Sequence, residues 1–162
     1  MTMADTFDLQ GFDNAMTKLR SLPEEVRKRT GRSALRKGAQ LIRDAAKQNA
    51  SRLDDPETAE RIAANIEERF STKTFKRTGD LAFRVGVLGG ARIPKSRPKG
   101  TEPGGPGGDT RYWAFVEFGH EHARAQPFMR PAIEQNIDGI VSTVASNLDK
   151  GLDRAIKRQG RS

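Results

Sequence analysis

The apolar residues change period twice along this chain, and those changes restrict the fold more than any single motif. From Pro23, the residues Val26, Thr30, Ala34, Leu41, Ile42, Ala45 and Asn49 step at threes and fours to about residue 50. That spacing lines one face of an α-helix. Ser21 is placed to cap it, and Glu24 and Glu25 fall in the first turn, where the helix dipole favours acids. At ~1.5 Å per residue the helix is roughly 40 Å long. A second helix is predicted over "DDPETAERIAANIEERF", with Asp55 as cap, Pro56 at the first position and Ile62, Ile66 and Phe70 as its stripe.

The period then falls to two. "FSTKTFK" has the threonine-rich alternation of an edge strand. In "LAFRVGV", Leu81, Phe83, Val85 and Val87 alternate with Ala82, Arg84 and Gly86. A further strand is predicted at "RYWAFVEFG", with Tyr112, Ala114, Val116 and Phe118 on one face and Trp113, Phe115 and Glu117 on the other. Aromatic residues on both faces require both to be covered. The expectation is that Trp113 and Phe115 face the long preceding loop or an adjacent subunit.

The helical period returns after "AQPF" and runs through Ile133, Ile137, Ile140, Val141, Val144, Leu148, Leu152 and Ile156. Proline has no N–H and is tolerated only in a first turn, so Pro131 puts the regular start near Arg130. The predicted fold is α+β in a single domain, 1–162. It comprises an N-terminal helical region over 8–50, including a short helix at 8–21 with Phe12, Ala15, Met16 and Leu19 on one side. A short helix over 55–69 follows, then an antiparallel sheet over 70–119 containing an extended loop at 89–110, and a C-terminal helix over 127–157. The long helices pack on one face of the small sheet.

That loop holds five glycines and two prolines within "GTEPGGPGGD", a composition that resists regular structure. Loops of this length in compact domains are usually functional or disordered. Gly100, Pro103, Gly104 and Pro106, with Trp113, are therefore candidates for docking a subunit or partner. The glycines do not make a nucleotide site: GxxxxGK[ST] is absent, and "GVLGGA" lacks the GxGxxG spacing.

Composition narrows the function. Of 162 residues, 35% are hydrophobic and 31% charged, a thin core for the length, so some burial is expected to come from partner subunits. There is no cysteine, which excludes disulfides, thiolate metal sites and cysteine nucleophiles. No segment reads as a signal peptide or reaches the ~20 apolar residues of a membrane span, so a cytosol-like compartment and no membrane partner are expected. The formal charge of +8 permits binding to nucleic acid or to acidic protein, although the basic residues are spread along the chain.

"VEFGHEHARAQPFMRPA" carries both histidines, His120 and His122, beside Glu117 and Glu121. A metal needs three or four converging ligands, and no third appears at familiar spacing. No GxSxG elbow is present, and the paired carboxylates Asp54–Asp55 and Glu67–Glu68 fall at helix ends. Neither catalytic residues, nor a metal, nor a cofactor is expected. No helix-turn-helix or zinc pattern supports sequence-specific DNA reading, but non-specific contact with a duplex needs only lysines and arginines.

The dense run "RYWAFVEFGHEHARAQPFMRPAIEQN" closely resembles the hallmark segment of the tail-completion, or head–tail joining (neck), proteins of long-tailed bacteriophages. The residues that carry the resemblance are Tyr112, Trp113, Phe115, Val116, Glu117, Phe118, Gly119, Ala125, Pro127, Phe128, Arg130, Pro131 and Ala132. Members usually have threonine after Glu-Phe-Gly, where this chain has His120. The resemblance implies a non-enzymatic virion protein assembled in the host cytoplasm. It would form a homo-oligomeric ring, a hexamer, at the neck or tail end, completing the tail between the tail tube protein and the head connector or adaptor. DNA would pass through the channel with non-specific contact at most. The alternative is a basic nucleic-acid-binding protein acting without ring assembly. A metal-dependent hydrolase through His120 or His122 is a third class.

Overall fold

A computed structural model describes residues 16–18, 20–54, 61–88 and 106–159. The long helix, α1 (Glu24–Ala50), begins where expected, but Pro23 is its extended N-cap residue and Ser21 does not cap it. The Ser21 hydroxyl donates to the Lys18 carbonyl instead. The buried face of α1 is small: Thr30, Gly31, Ala34, Gly38, Ala39, Ala46 and Ala50. Leu41 and Ile42 are only half-buried. Small residues let a neighbouring helix approach closely, and that neighbour is the last helix.

The C-terminal segment is two helices, α5 (Met129–Glu134) and α6 (Ile137–Gln159), with a break at residues 135–136. Helix α6 runs antiparallel to α1. Added Cβ atoms at Gly38 and Gly151 would stand 2.7 Å from Val144 and 2.6 Å from Thr30, so the crossing tolerates no larger residue without a shift. Leu22, Ala34, Leu148 and Leu152 form the core of this helix pair.

The middle of the chain departs most from expectation. The 55–69 helix is cut to one turn, α2 (Ile62–Asn65), and the chain continues directly as β1 (Ile66–Phe70). The predicted Asp55 cap lies outside the described residues; Asp54 takes that role, accepting the Ile62 and Ala63 N–H groups at 2.8 and 3.1 Å. "TKTFKRT" is a helix, α3 (Thr72–Thr78), closed by left-handed Gly79. Its threonines bond within the turn, Ser71 with Thr74 and Thr78 back to the Thr74 carbonyl, so the alternation is not that of a strand. Strand β2 (Phe83–Val87) matches the predicted "LAFRVGV".

Among the described residues the sheet has these two antiparallel strands, paired Ile66 with Val87, Glu68 with Val85 and Phe70 with Phe83. Those six side chains share the face toward α1. Glu67, Arg69, Arg84 and Gly86 share the other. The predicted third strand at 111–119 is instead a helix, α4 (Trp113–Phe118). A second core gathers Ala46, Ala50, Ile62, Ile66, Phe128 and Ala132, with Trp113, Val116 and Met129 packed against it. The 8–21 helix falls largely outside the described residues, though 16–18 and 20 are helical.

Candidate functional site

Helix α4 sorts its aromatic residues differently from a strand. Trp113, Val116 and Glu117 turn inward, at helical spacing, while Tyr112, Phe115 and Phe118 turn out. Trp113 therefore packs against the protein's own core, which corrects the expectation that it faces a loop or neighbour together with Phe115. Phe115 and Phe118 are 59% and 64% exposed. Aromatic composition favours a strand, yet tertiary burial of one helical face overrides that preference.

Glu117 explains why the helix wins. Its carboxylate is only 1% exposed and accepts three backbone N–H groups: Phe128 at 2.7 Å, Met129 at 2.9 Å and Arg130 at 3.1 Å. These are the unpaired donors at the start of α5, so the side chain caps a helix eleven residues downstream. Arg130 adds a weaker ion pair at 3.5 Å. Burial pushes the Glu117 pKa up, but the N–H groups of Met129, Phe128 and Arg130 and the Arg130 charge together hold it below the usual glutamate range.

The turn between the two helices is equally constrained. Gly119 sits at φ 76°, a left-handed value that favours glycine, and a Cβ there would lie 2.8 Å from the Ala125 nitrogen. His120 pairs with Ala123 through two backbone hydrogen bonds, and the Gln126 N–H donates to the Val116 carbonyl at 2.7 Å. Both histidines are exposed; His120 Nδ1 accepts the His122 N–H, and its ring meets Phe115 edge-on. Among the described residues no group of three or more His, Cys, Asp or Glu side chains is placed to hold a metal. Pro127 is exposed at the corner, Phe128 is fully buried, and Pro131 lies in the first turn of α5.

Of the loop candidates, Gly100, Pro103 and Gly104 lie outside the described residues. Pro106 is exposed where the chain returns. The residues after it are tightly held, by a hub that the sequence did not advertise. Buried Asn65 donates to the Gly108 carbonyl and the Thr110 hydroxyl, and its side-chain oxygen accepts the Gly107 N–H at 2.8 Å. Its backbone carbonyl accepts the Leu88 N–H, and the Thr110 hydroxyl donates to the Leu88 carbonyl. The residues that flank 89–105 thus meet at one residue, Leu88 at the Asn65 backbone and residues 107–110 at its side chain. A lone asparagine inside a helical pattern carries no signal for such a role.

A second buried carboxylate, Glu68, projects from β1 to α1. Arg43 meets it at 2.6 Å, and Arg36 and Gln40 approach at 3.4 Å. Burial pushes its pKa up, while Arg43 and Gln40 hold it below the usual range. Among the described residues, no buried side-chain nitrogen or oxygen lacks a partner. No helix there is long and apolar enough to cross a membrane.

The arrangement is a rigid corner with an outward aromatic stripe. No curated protein and no solved structure matches the chain. A family model described as "Bacteriophage HK97-gp10, putative tail-component" matches residues 13–119, which includes α1, the sheet and α4 and stops at Gly119, just short of the turn and α5. That span is well over half of the chain, and the protein belongs to the HK97-gp10-like family of bacteriophage tail components.

Proposed function

We propose that this tail protein acts without catalysis, as the repeating subunit of a ring that completes the tail and docks it to the head connector, with DNA passing through the centre. The observation that supports this best is the stripe Tyr112, Phe115 and Phe118, set outward on a helix whose inner face is locked by Glu117. Exposed aromatic groups on a rigid element are the usual anchors of protein interfaces, because they bury large areas at small entropic cost. The Asn65 hub supports a docking role for the 89–110 loop, since it holds both ends of that segment against the same core.

The test is the mass of the assembly under native conditions, for the protein alone and with tail tube and connector proteins. A Phe115→Ser/Phe118→Ser double variant is expected to keep monomer stability within ~0.5 kcal/mol, as for exposed positions. It is expected to lose the ring and the joining of heads to tails. Wild-type masses from the double variant in every mixture would remove the stripe from the interface. A monomer under all conditions would remove the ring.

A further inference from the structure

A groove of about 440 Å³ runs along the crossing of α1 and α6. Arg29 and Ser33 line it from α1, and Asn147, Arg154 and Arg158 from α6, with Thr30 and Gly151 at the crossing itself. Among the described residues, no acidic one lines it. On these helices Glu24 and Glu25 pair with Lys28, and Asp149 pairs with Lys18. The side chains of Arg29 and Arg158 make no hydrogen bond or ion pair with another described residue. Arg154 spends only its Nε, on the Lys150 carbonyl. Asn147 commits its amide nitrogen to the Thr143 carbonyl, and no described residue donates to its side-chain oxygen.

Three like charges line one groove, and all three side chains are exposed to water. The arrangement is stable only because the guanidinium groups reach water, or because an anion sits between them. The close contact of Gly151 with Thr30 fixes the spacing of the two helices, and with it the backbone positions from which the arginines extend. Arg154 and Arg158 stand one helical turn apart, about 6 Å along the axis.

We propose that this groove binds successive phosphates of a nucleic-acid strand. Guanidinium groups fork onto phosphate oxygens, and small hydroxyl donors such as Ser33 complete such contacts without reading bases. The groove is far larger than a single phosphate and open along one side, which suits a repeating anion. Beside the arginines, Ser33 and Asn147, its lining consists of Val26, Thr30, Gly151 and Ala155, none of them a large apolar side chain. This assignment gives the DNA contact of the proposed ring a place on the subunit, and it rests on that reading only for its biological setting. Binding itself is measurable on the free protein.

The experiment is fluorescence anisotropy of a labelled duplex oligonucleotide titrated with the full chain between 50 and 200 mM salt. Arg29→Gln/Arg154→Gln/Arg158→Gln is compared with Lys73→Gln/Lys76→Gln/Arg77→Gln on α3, which removes equal charge from another exposed surface. With about 0.9 counterions released per phosphate contact, the groove variant is expected to lose roughly 2.7 from the salt slope, so that the salt increase costs it ~40-fold less affinity than it costs wild type. The α3 variant is expected to keep the wild-type slope, and an all-lysine version of the groove triple is expected to recover most of it. Equal losses in the two glutamine triples overturn the proposal in favour of net charge alone. Competition by inorganic pyrophosphate as effective as by duplex overturns it in favour of a small-anion site, and competition by polyglutamate as effective as by duplex does so in favour of an acidic protein partner. Circular dichroism melts of each variant establish that it is folded. Native mass of the same samples reports ring formation separately, so loss of one property does not decide the other.

Discussion

Two buried carboxylates hold this protein together in opposite ways. Glu68 on β1 is neutralised by side chains, chiefly Arg43, which is itself a quarter exposed and also paired with Asp44. Glu117 on α4 is met mainly by backbone N–H groups at the start of α5. The Glu68 cluster joins two elements whose positions are already set by the apolar packing of the sheet on α1. The Glu117 cap determines where the chain goes, because its three donors are available only if residues 128–130 stand in one conformation. Side-chain charges adapt to loss of a partner by turning to water; buried backbone donors do not.

This contrast predicts an order of effects. Glu117→Ala is expected to be the most damaging change, costing about 3–4 kcal/mol, since it strands buried donors that a deleted side chain cannot satisfy. Urea unfolding with an unchanged m-value measures it. Glu117→Gln retains one acceptor oxygen and is expected to cost less, about 2 kcal/mol. Glu68→Gln is expected to cost about 1–2 kcal/mol, because Arg43 keeps Asp44 and partial access to solvent. Its penalty is expected to shrink at high salt, whereas that of Glu117→Ala is not. A larger loss at Glu68 than at Glu117 would break the comparison.

Acid sharpens it. Both carboxyls are held below the usual glutamate range in the folded protein, so each adds stability that is complete above its unfolded value. That stability is lost as the pH falls through the lower folded value, below about pH 5. The acid limb of the stability curve is expected to flatten in Glu117→Gln and in Glu68→Gln, and salt is expected to change the second more. The smallest effect belongs to Arg36→Ala, whose 62% exposed side chain contacts Glu68 at 3.4 Å; it is expected to alter stability by ~0.5 kcal/mol or less.

The same distinction separates what was legible in the residues from what was not. Periodic patterns are local, so α1, β2 and the helical run that becomes α6 are readable from spacing. The strand expected at 111–119 failed because six residues satisfy both periods: alternation and three–four spacing each place Trp113 and Glu117 on one face. What decides between them is the partner of Glu117, eleven residues away in sequence and adjacent only after folding. "TKTFKRT" failed for a local reason, since its threonines bond within their own turn. Asn65 was invisible because its partners, Leu88 and residues 107–110, lie 23 to 45 positions further along.

The sequence by itself determined the α+β class, the two long helices, the absence of thiol chemistry and the corner motif that pointed to phage tails. Periodicity and composition act through local backbone preference and need no knowledge of the rest of the chain. Only the tertiary structure decided that the aromatic segment is a helix with Phe115 and Phe118 outward, and that Glu117 caps α5. Only it could place Arg29, Arg154 and Arg158 in one groove. Those outcomes depend on where buried donors and charges find partners, and partners distant in sequence are chosen by packing.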